Sequence, residues 1–285
     1  MAFRTSGDNS KQMKFSGNYN KIIKIHTNPS YVIEMSAGSS HTNIINNKIS
    51  TWSWGFNDYG QLGDNTIITK SNPVSVVGDY NFVRIKSGDN HSLGLKNDGT
   101  VWIWGLNTYG QLGDNTRTNK SSPVSVVNDH SFIDIAGGNQ WTMGLKANGN
   151  IWSWGINGNG RLGDNTTVSK STPVSVVGNH SFTTLMRGYF SAGAIKSDGS
   201  LWTWGANGYG QLCHDNRTNR SSPVSAVGNY NFTNAHFGRR FLITLRVNGS
   251  VLTAGMNDHG QLGTNDAVSY SSPVSVAKQF FNVFR

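Results

Sequence analysis

One cysteine in 285 residues, Cys213, excludes an intrachain disulfide framework and a cysteine-built zinc site. No partner base recurs beside it, so a catalytic thiol is not expected. A chain without disulfides is compatible with any redox compartment. Long apolar runs are also missing: none approaches the roughly 20 residues of a membrane-spanning helix. Met1 to Ser10 is polar and lacks the apolar core of an export signal. The expectation is a soluble chain of cytoplasmic synthesis that does not insert into membranes. Charge is sparse as well, at 14% of residues, and acids are the scarcer sign, with 15 Asp and Glu against 24 Lys and Arg. The net charge of +9 admits an acidic partner, whether nucleic acid, anionic surface or acidic protein, and identifies none. No run of five basic residues exists, so there is no basic tail. Proline occurs only six times, and five of the six fall at a fixed interval.

That interval is 50 residues: Pro73, Pro123, Pro173, Pro223 and Pro273. Trp52-Ser53-Trp54-Gly55 returns at 102, 152 and 202, and in degraded form as Leu252-Thr253-Ala254-Gly255. Gly60-Gln61-Leu62-Gly63 returns at 110, 160, 210 and 260 with small changes, and Cys213 occupies the last glycine position of its copy. A fixed period of this size means stacked supersecondary units, each burying its apolar face against its neighbours. Five full copies are present, at about 31–80, 81–130, 131–180, 181–230 and 231–280.

The copy at 81–130 predicts four strands. Phe82 to Ile85 alternates as a strand, and His91 to Lys96 follows after a short loop. Asn97-Asp98-Gly99 predicts a type I′ hairpin turn. Thr100 to Trp104 is β-branched and aromatic. A long polar stretch then leads to a short strand that begins at Pro123, where proline is tolerated. Four short strands, glycine-rich connections and no helical period define a β-propeller blade. The expected fold is therefore all-β, a β-propeller of four-stranded blades.

Trp-Gly, Asn107, Gly110-Gln111-Leu112-Gly113, Ser122-Pro123-Val124 and the Gly-x-x-His pattern ending at His91 resemble the regulator of chromosome condensation repeat. The resemblance covers roughly residues 30–285. It implies a propeller, typically of seven blades, where this chain has five full repeats. It also implies nucleotide exchange on a small GTPase, which the founding member performs with an inserted β-wedge. Every repeat here is 50 residues long, with no insertion to serve as that wedge. Residues 31–285 are expected to form a single propeller domain and 1–30 an N-terminal arm or partial blade. Phe280 to Arg285 resembles the start of another unit, so a sixth blade composed from both termini is the alternative to a five-bladed ring.

Near-identical positions across the copies are scaffold, and the variable ones are candidates for recognition. The loop after the first strand varies most: Gly38-Ser39-Ser40-His41, Gly88-Asp89-Asn90-His91, Gly138-Asn139-Gln140-Trp141, Gly188-Tyr189-Phe190-Ser191 and Gly238-Arg239-Arg240-Phe241. His41, His91, Trp141, Tyr189, Phe190, Arg239, Arg240 and Phe241 form a candidate partner-binding set, since recognition surfaces favour aromatics and arginine. The competing role is packing at the blade ends. Lys70, Lys120, Lys170 and Arg220 share one position and predict a basic arc, suited to an extended polyanion or merely to solubility. Asn57, Asp58, Asp64 and Asn65 offer oxygens, yet calcium needs six to eight ligands and position 58 varies among copies. No metal and no cofactor are expected.

No nucleophile–base set, phosphate loop or distinctive carboxylate pair is present, so an enzyme is not expected. The favoured function is a non-catalytic interaction or structural module that binds a protein partner or assembly neighbours, with a virion surface or tail component as its specific form. A guanine-nucleotide exchange factor-like propeller, or one binding chromatin or nucleic acid, is the alternative.

Overall fold

The computed structural model describes residues 30–128 and 130–277, together with the backbone of three short strands, β1 (Arg4–Thr5), β2 (Lys11–Met13) and β3 (Ile23–Ile25). Five sheets of four antiparallel strands follow, each in simple chain order. Blade I is β4 (Val32–Ala37), β5 (His41–Asn46), β6 (Thr51–Gly55) and β7 (Lys70–Ser75). Blade II is β8 (Phe82–Ser87), β9 (His91–Lys96), β10 (Val101–Gly105) and β11 (Lys120–Ser125). Blade III is β12 (Asp134–Gly137), β13 (Trp141–Leu145), β14 (Ile151–Gly155) and β15 (Lys170–Ser175). Blade IV is β16 (Met186–Arg187), β17 (Ser191–Ile195), β18 (Leu201–Gly205) and β19 (Arg220–Ser225). Blade V is β20 (Phe232–Phe237), β21 (Phe241–Arg246), β22 (Val251–Gly255) and β23 (Tyr270–Ser275). First strands pack on first strands, β4 on β8, β8 on β12, β12 on β16 and β16 on β20, so they lie nearest the axis. This is the propeller architecture that the repeat predicts.

Two local expectations are corrected. The 2–3 hairpin is not type I′, because only Gly99 of its three loop residues has a positive φ, at 82°. Gly99 N–H bonds to Lys96 C=O and Lys96 N–H to Thr100 C=O. This is a three-residue loop, with a type I turn closed by a left-handed glycine. The fourth strand begins at Lys120, three residues before the expected start, and Pro123 lies inside it. Proline is tolerated there because β11 is an edge strand whose ladder skips that residue: Gly105 pairs with Lys120 and Ile103 with Val124.

Blades are joined by the second tryptophan of the repeat. Trp104 Nε1 donates to Gln61 O of the preceding blade, Trp154 to Gln111 O and Trp204 to Arg161 O, each at 2.9 Å. The indole lies against a glycine of that blade: a Cβ on Gly63 would stand 2.7 Å from Trp104 Nε1. Cys213 occupies the equivalent glycine position with φ 62°, and the facing residue in blade V is Ala254 rather than tryptophan. Both pack in the same core cluster. The two departures from the repeat therefore compensate, since the thiol fills space that the missing indole leaves.

The end faces of the array differ from its interior. Ile243 and Leu245 of blade V are 41% and 39% exposed, whereas Leu93 and Leu95 at the same positions of blade II are buried. Met35 of blade I is 75% exposed where Ile85 is buried. Among the described residues β20 and β4 do not pack together as the successive first strands do. The small sheet β1–β2–β3 pairs antiparallel in chain order, as strands two to four of a blade do, with Arg4 opposite Gln12 and Lys11 opposite Ile25. The spacing from Ile25 to Val32 also equals that from Ser75 to Phe82. Residues 280–285, expected to complete a composite blade, lie outside the described residues.

Candidate interaction face

The loops between first and second strands all emerge on one face, because each is tied to the start of its blade's long 3–4 connection. Phe56 N–H bonds to Ser40 C=O, Leu106 to Asn90, Ile156 to Gln140, Ala206 to Phe190 and Met256 to Arg240. Neighbouring loops are tied to each other in blades I to III. Ser39 N–H reaches Asp89 C=O at 3.0 Å, and Asn139 Nδ2 donates to Asp89 Oδ2 at 2.8 Å.

Each 3–4 connection is organised by one buried asparagine. Asn57 Oδ1 accepts from Leu62 N–H, and its Nδ2 donates to Asp64 Oδ1 and to the Thr66 and Ile68 carbonyls. Asn107 and Asn157 repeat this arrangement. Asp64 Oδ1 also accepts from the Thr66 amide and hydroxyl. Asp64 Oδ1 is thus engaged by protein donors, which gives the recurring Asp-Asn-Thr sequence a role in holding the loop.

Three of the candidate contact residues belong to the packing between blades. His41, His91 and Trp141 are buried. His41 Nε2 lies 2.9 Å from Ser92 Oγ, and His91 Nε2 3.0 Å from Thr142 Oγ1, each in the next blade. Both hydroxyls donate onward to the carbonyls of Gln61 and Gln111. The imidazoles therefore act as Nε2–H donors in the neutral form. Burial pulls His41 down to about 4 and His91 to about 3, the latter assisted by His41 and Arg187. Trp141 takes the same position in blade III, and its neighbour is no longer a hydroxyl but Ala192. Burial removes these three from any surface contact set.

The remaining candidates gather at the ends of blades IV and V. The Tyr189 and Phe190 rings meet edge to face at 4.4 Å. Arg239 lies over Tyr189 at 5.1 Å. Arg240 lies over Tyr209 at 5.0 Å and donates to its hydroxyl at 3.1 Å. Phe241 is half-buried over Gly238, where a Cβ would touch its ring. Beneath them sits Arg161, which was not among the sequence candidates. It is buried, packs 5.4 Å from the Phe190 ring, and donates to Asn159 Oδ1 and the Tyr189 carbonyl. Burial lowers its guanidinium to about 10, still charged at neutral pH. The signal for it was present: blade III alone has arginine where the other blades have Gln61, Gln111, Gln211 and Gln261. Tyr209 was missed as well, because the tyrosine at this position recurs in blades I and II and reads as scaffold.

The basic arc is neutralised from within. Lys70 lies 3.8 Å from Asp64, Lys120 3.6 Å from Asp114 and Lys170 3.8 Å from Asp164. In blade IV, His214 replaces the aspartate, and Arg220 has no such partner among the described residues. Three of the four cations thus brace their own loop rather than form a continuous positive track.

Repeated four-stranded blades around a common axis, with variable loops on one face, define a β-propeller of the repeat type. A family model of the RCC1-like domain matches residues 5–283, and the chain belongs to that family. Among solved structures, human WBSCR16 is similar at a TM-score of 0.75 and 21% identity, over 87% of this chain and 67% of that one. The structure of Kap60 bound to yeast RCC1 (Prp20) is similar at 0.77 and 17% identity, over 91% and 65%. A further structure of Prp20p from Saccharomyces cerevisiae, described with its binding to Gsp1p and histones, is similar at 0.52 and 17% identity, over 88% and 78%. The chain spans about two thirds of the length of the first two. At these identities the likeness is one of fold. No curated protein matches in sequence.

Proposed function

We propose that this chain is a non-catalytic protein-interaction propeller whose partner docks on the 1–2 loop face, over blades IV and V. The observation that carries the proposal is the arginine–aromatic cluster of Tyr189, Phe190, Tyr209, Arg239 and Arg240, braced from below by Arg161. Such side chains supply the energetic centres of protein interfaces. Here they are held in place before any partner arrives, which reduces the entropy lost on docking. The equivalent loops of blades I and II are small and polar and lack such a cluster. Proteins of the same fold, such as RCC1 (Prp20) with Kap60, bind other proteins, which agrees with this use of the architecture. Nucleotide exchange is less well supported, because the 50-residue repeats carry no inserted wedge. A basic track for nucleic acid is less well supported too, because the lysine arc is internally paired. The narrower expectation of a virion component rests on composition alone, so the proposal is made at the level of protein binding.

The test is quantitative affinity capture with the full chain and with a Phe190→Ala/Arg240→Ala variant. Proteins retained by the parent should be lost at least 30-fold by the variant, the scale of about 2 kcal/mol expected for such centres. Retention should be unaffected by Asn97→Ala/Asn148→Ala on the opposite face. An unchanged set of retained proteins on the folded Phe190/Arg240 variant would overturn the assignment.

A further inference from the structure

The first strands enclose a cavity of about 530 Å³ that opens toward the 1–2 loops, with Gly188, Tyr189, Gly238 and Arg239 at its rim. Its charges divide by blade. On the side of blades I to III the two charged lining residues, Lys86 and Asp134, are paired with groups outside the cavity: Lys86 Nζ donates to Glu34 at 2.8 Å, and Asp134 lies 3.8 Å from Arg84. Asp89, above them on the rim loop, is engaged by Asn139. On the side of blades IV and V there is no acid at all: residues 181–191 and 231–241 contain neither Asp nor Glu. That wall instead presents Arg187, His236 and Arg239, all exposed into the cavity. Among the described residues neither Arg187 nor His236 has an anionic partner, and Arg239 has only the Tyr189 ring. Two guanidiniums lining one cavity repel each other, and a concave wall focuses their field. An incoming anion relieves that repulsion and gains charge-assisted hydrogen bonds, in bidentate form where it is a carboxylate.

We infer that the channel mouth is a carboxylate-binding site, in which Arg187 and Arg239 take an acidic side chain presented by a segment of a protein partner. The inference deepens the proposed function and rests on its reading of the loop face as the docking side. The sequence alone points the same way, since Arg187 replaces Ala37, Ser87 and Gly137 of the earlier blades.

The experiment uses the full chain and a fluorescently labelled hexaglutamate peptide, followed by anisotropy at low salt. Arg187→Gln/Arg239→Gln should weaken binding at least tenfold. Arg117→Gln/Arg217→Gln, the same charge change on exposed outer loops, should change it less than twofold. Equal weakening by both pairs would overturn the site in favour of general attraction to a basic protein. Tighter binding of hexathymidylate, lost with Arg187/Arg239, would overturn it in favour of nucleic acid. Melting temperatures of both variants confirm that the fold is retained. Phe190→Ala/Arg240→Ala separates the two proposals. If hexaglutamate binds through Arg187 and Arg239 while captured proteins ignore the loop variant, the channel site stands and the docking face falls. If captured proteins need the loops while hexaglutamate ignores the arginine pair, the channel site falls.

Discussion

Two departures from the repeat expose the rules that the copies obey. Ile49 stands where the other blades have Gly99, Gly149, Gly199 and Gly249, and it adopts φ 62°. A β-branched residue in the left-handed region costs about 1–2 kcal/mol, and Ile49 is 44% exposed, so little packing offsets that cost. Ile49→Gly should therefore raise stability by about 1 kcal/mol, net of glycine's own chain entropy, measured as a higher denaturant midpoint with an unchanged slope. A lower midpoint would show that the isoleucine side chain contributes more than the strain removes. The second departure is the pair Cys213 and Ala254. Ala254→Trp alone should destabilise by about 1–3 kcal/mol, because the indole meets the thiol where glycine normally lies. Adding Cys213→Gly should recover at least half of that loss. Additive effects in this cycle would contradict the compensation. The sequence placed Cys213 correctly on the repeat, yet the reason for it was not legible there, because the facing residue is 41 positions away and belongs to the next blade.

Strands and loops were the most legible level. Strand number, blade order and chain-order pairing follow from the spacing of Trp-Gly, Gly-Gln-Leu-Gly and proline, since one repeat must bury its face against the next. Turn type and strand start were misjudged at two places, both for reasons of pairing. Asp-Gly suggests type I′, but Lys96 N–H bonds to Thr100 C=O beyond the Val101–Leu95 pair, which leaves three loop residues rather than two. Pro123 suggests a strand start, but an edge strand accepts proline within it. The histidines were ambiguous in sequence because burial is not written in one blade; it arises when the next blade supplies Ser92 or Thr142. Their pH behaviour follows. His41, His91 and His214 are held neutral in the fold, with burial pulling them to about 4, 3 and 4. In the unfolded chain they titrate near 6.5. Below that pH the unfolded state binds more protons, so stability is full above about 6.5 and falls as pH drops toward 4. Each histidine contributes a slope of about 1.4 kcal/mol per pH unit within that window. The melting temperature should drop between pH 7 and 5, and His91→Gln should flatten the drop. A pH-independent melting temperature would contradict this account.

At the scale of the whole molecule, five similar blades give a uniform scaffold, and the departures that supply an arginine–aromatic surface gather on one face. Those positions were half legible. The loops of blades IV and V were found by comparing copies, since Tyr189, Phe190, Arg239 and Arg240 differ from their counterparts. Arg161 escaped because it lies in another loop, and only folding brings it under Phe190. Trp141, His41 and His91 shared the variable position yet turned inward, because side-chain direction at a blade end depends on what the neighbouring blade offers. The lysine arc illustrates the same limit in charge: repetition made it visible, and the carboxylates that neutralise it repeat with it. The end faces of the array, with Met35 on one side and Ile243 and Leu245 on the other, are apolar surface of a kind that the interior blades cover.

The central claim is that the loop face of blades IV and V contacts a protein. The most direct measurement places a photo-crosslinking amino acid at Phe190 and, separately, at Asn148 on the opposite face, then irradiates the full chain in its native extract. The account predicts discrete protein adducts from position 190, lost when Arg240 is replaced by alanine, and none of these adducts from position 148. The same adducts from both positions, or adducts from position 148 alone, would contradict it.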